Sequence, residues 1–358
     1  MDCYIVCNTF PPSVSNVVRA PGLRAEQLAH QARKHFDRVY YLMLKTRFDM
    51  LSRQLADGWN LDASPDFIVI HDVFLERFLN RIPRSTFVFT QVEFEPFFDA
   101  ARQNHTVVYD VLAPRELEFE EAGKDVDNVN LVKYRHYLMS ERAERVFVNG
   151  PKTIEHYREH FERREQVMNN PLCPLSTPTS PRERDKLLFF GSSQLWTDNS
   201  PLLEVMCDFL GKRPDIVAYL LTPEKRHEDP ESRFVSRLSL LPNVRIVNSL
   251  SYTAHMALLS QCYAAIDWSR PRSERPYSTS TRMIQAVAAG CAVFTNVTAL
   301  VHYWRDFPGE TSDEPPTLEK ISHFVDAARS GEYAPALKDA AAWNEGILSD
   351  TALFAGLG

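Results

Sequence analysis

Short runs of apolar residues recur along the chain, separated by longer stretches whose apolar positions repeat at helical spacing. Cys3-Tyr-Ile-Val-Cys7 reads as a first buried strand. A loop holding Pro11, Pro12, Pro21 and Gly22 follows. From Arg24 to Phe36, Leu28, Ala32 and Phe36 share one helix face. Further strands are predicted at Val39–Leu44, Asp66–His71, Thr86–Thr90, His105–Asp110 and Arg145–Asn149. Periodicity breaks between Pro171 and Asp185, where prolines 171, 174, 178 and 181 mix with Ser and Thr. A second set then begins: Lys186–Phe190, Ile216–Leu221, Val244–Val247, Ala264–Asp267 and Ala292–Thr295. The tail is predicted helical near Leu318–Ala328 and Ala334–Asn344. Strands alternating with helices imply parallel sheets covered on both faces, so the fold class is α/β.

The most telling stretch is Tyr277-Ser-Thr-Ser-Thr-Arg-Met-Ile-Gln-Ala-Val-Ala-Ala-Gly-Cys-Ala-Val-Phe-Thr295. It reads as a polar loop, a helix, a Gly stop and a buried strand. Ile284, Val287 and Ala288 lie on one helix face, and Gly290 sits where a left-handed C-terminal residue is favoured. A polar loop entering a helix N-terminus suits phosphate, because the free N–H groups and the dipole both favour anions.

A length of 358 residues fits two domains better than one. The chain is 44% hydrophobic and 24% charged, a soluble globular balance. A net charge of -7 argues against general nucleic-acid binding. The six cysteines are scattered without a CxxC pair and read as buried thiols of a reducing compartment. The N-terminus lacks the basic lead and long apolar run of a signal peptide, and no stretch approaches a membrane span. The expected location is cytoplasmic. Phe94, Phe97 and Phe98 beside a loop are the candidate for peripheral membrane contact, set against simple packing. His156-Tyr-Arg-Glu-His160 matches the HxxEH zinc pattern literally, but no third ligand accompanies it, so no metal is expected.

The stretch ending Ala-Ala-Gly-Cys-Ala-Val resembles the donor-sugar signature of the GT-B glycosyltransferases, and specifically the large retaining family-4-like bacterial group. Other segments share the likeness: Gly22-Leu-Arg-Ala-Glu-Gln-Leu-Ala-His-Gln-Ala after the first strand, Ser140 to Thr153, and Phe189-Phe-Gly-Ser-Ser193. Tyr109-Asp-Val-Leu-Ala-Pro-Arg-Glu-Leu-Glu118 together with Ser280-Thr-Arg282 resembles a bacterial subgroup. The likeness covers about residues 1–325. It implies two Rossmann-like domains facing across a cleft: 1–170 for the acceptor, a linker at 171–185, 186–325 for the nucleotide-sugar donor, and a helical tail at 326–358.

The resemblance implies a hexosyltransferase-like enzyme that moves sugar from a nucleotide-diphosphate sugar to an unidentified glycan, small molecule or protein. It implies no cofactor beyond that co-substrate and no metal for the chemistry. The implied donor-binding residues are Gly191, Ser192, Ser193, Arg270, Tyr277, Ser278, Thr279, Ser280, Thr281 and Gln285. The implied catalytic residues are Asp110, Glu116 and Arg282. Asp110 is first choice as base, because it ends a first-domain strand; Arg282 would stabilise the leaving diphosphate. Arg272 and Arg275 lie in the same loop.

Departures from the family pattern are specific. The Arg and Lys that follow the second-domain Gly are missing from Gly191-Ser-Ser-Gln-Leu-Trp-Thr-Asp-Asn199. The two expected Glu positions hold Tyr277 and Gln285. Two alternatives therefore stand beside transfer: a degenerate subunit that binds a partner, and a sugar-nucleotide 2-epimerase. Retention or inversion, and the oligomeric state, are left open.

Overall fold

The computed structural model describes the chain apart from residues 17, 55–63, 161–166, 176–184, 192–197, 223–230, 249, 271–272, 278 and 358, and the side chains of Gln54 and His160. It divides into two compact units, Met1–Leu175 with Glu345–Gly358, and Ser176–Asn344.

The first unit is built on β1 (Asp2–Val6), β2 (Arg38–Leu44), β3 (Phe67–Ile70), β4 (Thr86–Phe89), β5 (Thr106–Val111), β6 (Arg145–Val148) and β7 (Val167–Asn169). All neighbours pair in parallel, in the order β3-β2-β1-β4-β5-β6-β7. Its helices are α1 (Ala20–Ala32), α2 (Lys45–Gln54), α3 (Leu75–Leu79), α4 (Glu95–Ala101), α5 (Arg115–Glu121), α6 (Val126–Arg142) and α7 (Pro151–His160). The period-2 alternation of strands sorts the core into two faces. Tyr4, Val6, Phe87, Phe89 and Tyr109 enter one apolar cluster, whereas Cys3, Ile5, Val88 and Val108 enter the other. All six cysteines are buried and unpaired by disulfides.

The second unit holds β8 (Lys186–Phe190), β9 (Val217–Leu221), β10 (Val244–Val247), β11 (Ala264–Asp267), β12 (Ala292–Thr295) and β13 (Gly309–Thr311). They are again all parallel, in the order β10-β9-β8-β11-β12-β13. Its helices are α8 (Ser200–Lys212), α9 (Ser232–Ser239), α10 (Tyr252–Gln261), α11 (Thr281–Ala288) and α12 (Leu318–Ser330), with α13 (Ala334–Ser349) running to its boundary. Counted from its own first strand, the order is 3-2-1-4-5-6, the doubly wound Rossmann arrangement. Gly290 closes α11 with φ +82°, the left-handed stop expected from the sequence.

The boundaries differ from the sequence reading at two places. Residues 171–175 belong to the first unit rather than to a linker, because polar side chains pin them. Gln27 Nε2 donates to Pro171 O at 2.8 Å, Gln27 Oε1 accepts from Cys173 N at 2.9 Å, and Asn149 Oδ1 accepts from Leu172 N at 2.9 Å. The expected tail is shared between units. Residues 345–358 join the first unit, where Phe354 packs edge-on to Phe36 and Phe147, and Thr86 Oγ1 donates to Leu357 O at 3.0 Å.

Phe94, Phe97 and Phe98 are buried in the first unit's core. Phe97 and Phe98 stand edge-on to Phe89, so this cluster offers no membrane-facing surface. Among the described residues, no helix is long and apolar enough to cross a membrane.

Candidate functional site

In open parallel sheets, ligands bind beyond the strands' carboxyl ends where the strand order reverses. In the second unit that point lies between β8 and β11. Gly191 follows β8 directly. A Cβ there would lie 2.7 Å from Thr222 Oγ1, so only glycine lets the chain pass this close to the end of β9. Asn199 ties the two strand ends together, its Nδ2 donating to Phe190 O at 3.2 Å and Trp268 O at 3.0 Å.

β11 ends in Asp267, whose side chain is fully buried. A buried carboxylate must be paired, and α11 supplies both partners. Arg282 Nη2 donates to Asp267 Oδ1 at 3.2 Å, and Ser280 Oγ donates to Oδ2 at 3.1 Å. Ser280 also caps α11, accepting from Met283 N at 3.5 Å. The first turn of α11 is thereby fixed on the strand end.

The Arg282 guanidinium lies 5.0 Å over the Phe190 ring, and Nη1 reaches Gly191 O at 3.4 Å. About 26% of its side chain is exposed. Burial lowers its pKa, nearby Asp267 opposes this, and Arg275 adds to the lowering. A cation held in this way has little freedom to lose on meeting an anion.

Further groups line the same strand ends. Arg275 is buried and donates to Ser269 Oγ at 2.7 Å, while its Nε has no partner. Gln285 is buried on α11, beside His255 of α10. Burial lowers the His255 pKa to about 4; nearby Gln285 opposes this and Arg282 reinforces it, so the imidazole is neutral at pH 7. Its Nδ1 is buried with no partner. Arg270 pairs with Asp198 on the exposed rim. Burial raises the Asp198 pKa, but Ser200 and Arg270 outweigh it and leave the carboxyl below its ordinary value.

The structure thus places Gly191, Ser280, Thr281 and Gln285 of the expected donor-binding residues around Arg282, expected as catalytic. Tyr277 and Thr279 lie just before α11, both half-buried. Ser192, Ser193, Ser278 and Arg272 lie outside the described residues. Asp267, Phe190, Asn199 and His255 carry the arrangement and went unassigned in the sequence. A lone acid ending the apolar strand Ala264–Asp267 was the available signal.

The first unit's expected catalytic residues require correction. Asp110 is sealed against Arg24, with both side chains at 0% exposure. Arg24 Nε donates to both carboxylate oxygens, at 3.1 and 3.0 Å, and Nη2 donates to Oδ1 at 2.6 Å. Burial raises the Asp110 pKa and Arg24 opposes the rise. This carboxylate joins α1 to β5 and has no face from which to take an acceptor's proton.

Glu116 is also buried, on the other face of β5. His156 Nε2 is 2.8 Å from its Oε1, and His136 Nε2 is 3.5 Å from its Oε2. The hydroxyls of Tyr109 and Tyr157 meet His136 Nδ1. Burial raises the Glu116 pKa, but the His156 bond and His136 outweigh it and hold the carboxyl below its usual range. Burial lowers His136 to about 4. This is an interior network joining β5, α5, α6 and α7. His156 of the HxxEH pattern is spent on Glu116, and among the described residues no group of His, Cys, Asp and Glu is placed to hold a metal.

No protein-family model and no curated protein sequence matches the chain. Solved structures do match its fold. Sucrose-phosphate synthase from Thermosynechococcus elongatus aligns with a TM-score of 0.65 over 99% of this chain and 96% of its own, at 13% identity. HepE from Anabaena, solved with UDP and glucose, gives 0.59 over 97% and 95%, at 12% identity. An Arabidopsis thaliana UGT complexed with UDP-L-rhamnose gives 0.57 over 98% and 95%, at 10% identity. At these identities the likeness is one of fold. Two all-parallel Rossmann-like units, matched over nearly their whole length by glycosyltransferase structures, give this chain the GT-B fold.

Proposed function

We propose that the chain transfers a sugar from a nucleotide-diphosphate sugar to an acceptor. The observation that carries this reading is Arg282, held by buried Asp267 at the switch point of a Rossmann sheet and still partly open to solvent. Breaking a glycosidic bond to a diphosphate builds negative charge on the departing oxygens. A fixed guanidinium, together with the first-turn N–H groups of α11, stabilises that charge without reorganising. Gly191 lets backbone approach the same point, and the Gln285 amide offers hydrogen bonds to sugar hydroxyls. Structures of similar fold hold UDP with glucose and UDP-L-rhamnose, which supports a nucleotide-sugar donor here.

The reading uses no cofactor beyond the donor. Neither Asp110 nor Glu116 serves as base, since both carboxylates are buried and engaged. Hexosyl transfer and a cytoplasmic site remain parts of the proposal.

A thermal-shift panel of UDP, GDP, dTDP, ADP and CMP and their sugar conjugates tests it. The expected result is selective stabilisation by one nucleoside diphosphate, followed by slow hydrolysis of its sugar conjugate. A flat panel would overturn the reading, and binding without any hydrolysis or transfer would leave a binding subunit.

A further inference from the structure

The first unit carries a cavity of about 540 Å³ between the segments that follow β3 and β4. Its volume lies within the range of small-molecule sites. Leu75, Phe94 and Phe97 form apolar walls, and Asp72, Glu76 and Glu93 supply three carboxylates. None of the lining residues is basic. Both segments leave the carboxyl ends of parallel strands, the end of such a sheet where ligands bind.

The three acids are held differently. Asp72 Oδ2 accepts from Thr46 Oγ1 at 2.7 Å and Thr46 N at 3.3 Å. Glu93 lies 3.4 Å from Arg115 Nε. Glu76 is exposed, and among the described residues it has no ion pair. An apolar cleft that keeps three carboxylates, one of them uncommitted, is matched by an apolar body carrying a cation. An ammonium group would gain a charge-assisted bond from Glu76, and the aromatic walls also favour a cation.

We propose that this cavity binds a small molecule with a primary amine on an apolar body.

The test is a calorimetric titration with phenethylamine, using 3-phenylpropionate as the probe of like body and opposite charge. The amine is expected to bind saturably and the carboxylate not to bind. Glu76→Gln should weaken the amine by about fivefold, the upper scale of an exposed ion pair. Adding Glu93→Gln should weaken it further, with the thermal midpoint unchanged by Glu76→Gln. Equal binding of both probes, no saturable amine binding, or unchanged affinity in the double variant would overturn the proposal. Nucleotide binding is read separately. Amine binding without any nucleotide binding would remove the transfer reading and keep the pocket; the opposite result would keep transfer and remove the pocket.

Discussion

Each unit carries an aspartate near the carboxyl end of a strand, paired with an arginine from a helix, yet the two pairs differ in what they leave exposed. In the first unit, Asp110 and Arg24 are both sealed, and three hydrogen bonds use up the contact. In the second, Asp267 is buried while Arg282 keeps about a quarter of its side chain open. A sealed pair satisfies itself and holds α1 to β5. A half-open pair has a fixed carboxylate below and a cation with spare N–H groups above, the arrangement an anionic ligand can complete. The chemistry of the residues is the same; exposure decides which pair is structural and which is a site.

The comparison breaks most visibly at the sealed pair. Arg24→Met leaves a buried carboxylate without its cation, which is expected to cost about 3–5 kcal/mol of stability in urea denaturation. Combining it with Asp110→Leu should recover most of that loss, since a well-packed apolar pair often replaces a buried ion pair at little cost. If Arg24→Met alone left the denaturation midpoint in place, the pair would not be the strut described here.

Acid should act next most strongly, through the neighbouring network. His136 has a folded-state pKa of about 4, below its unfolded value, so the unfolded chain takes a proton that the folded chain refuses. Stability is therefore full above about pH 6.5 and falls as pH drops toward 4, by on the order of 2–3 kcal/mol. Glu116 adds a loss of the same sign at lower pH, because its folded pKa is depressed. His136→Gln should remove its share of the fall between pH 6.5 and 4 in a denaturation series, leaving the share of His255. An unchanged slope would show that other groups control the acid limb.

The half-open pair should answer in binding instead. Arg282→Ala is expected to weaken nucleotide binding by about 1–3 kcal/mol, the scale of a lost charged hydrogen bond, with little change in thermal midpoint. Asp267→Asn keeps the cation but loosens its seat. A smaller loss, about 1 kcal/mol in affinity, is expected there, and a loss larger than that of Arg282→Ala would give the carboxylate a direct role.

Much of this was legible in the sequence, for physical reasons. The strands of the second unit stand out because both sheet faces are covered, which makes them continuous apolar runs. Lys186–Phe190, Val244–Val247, Ala264–Asp267 and Ala292–Thr295 coincide with the structure. β7 and β13 escaped notice because each has three residues at a sheet edge, too few to show a period. Asp110 was misread because a strand's carboxyl end usually faces ligands. Its partner sits 86 residues earlier in the chain, and no local pattern announces a contact of that range. Alternation along β5 sends Tyr109 and Asp110 to opposite faces, each into its own buried network. Asp267 was missed for the mirror-image reason: it looked like the end of a strand rather than the seat of Arg282.

If the half-open pair grips the donor's diphosphate, Arg282 sets nucleotide affinity and Arg24 does not. The direct measurement is calorimetric titration of UDP, GDP, dTDP, ADP and CMP into the native chain and into Arg282→Ala, with Arg24→Lys as the sealed-pair control. The expected result is one binding nucleoside diphosphate, an affinity about 5- to 150-fold lower in Arg282→Ala, and unchanged affinity in whatever Arg24→Lys protein folds. Equal affinity in native chain and Arg282→Ala, or no binding of any nucleotide to the native chain, would contradict it.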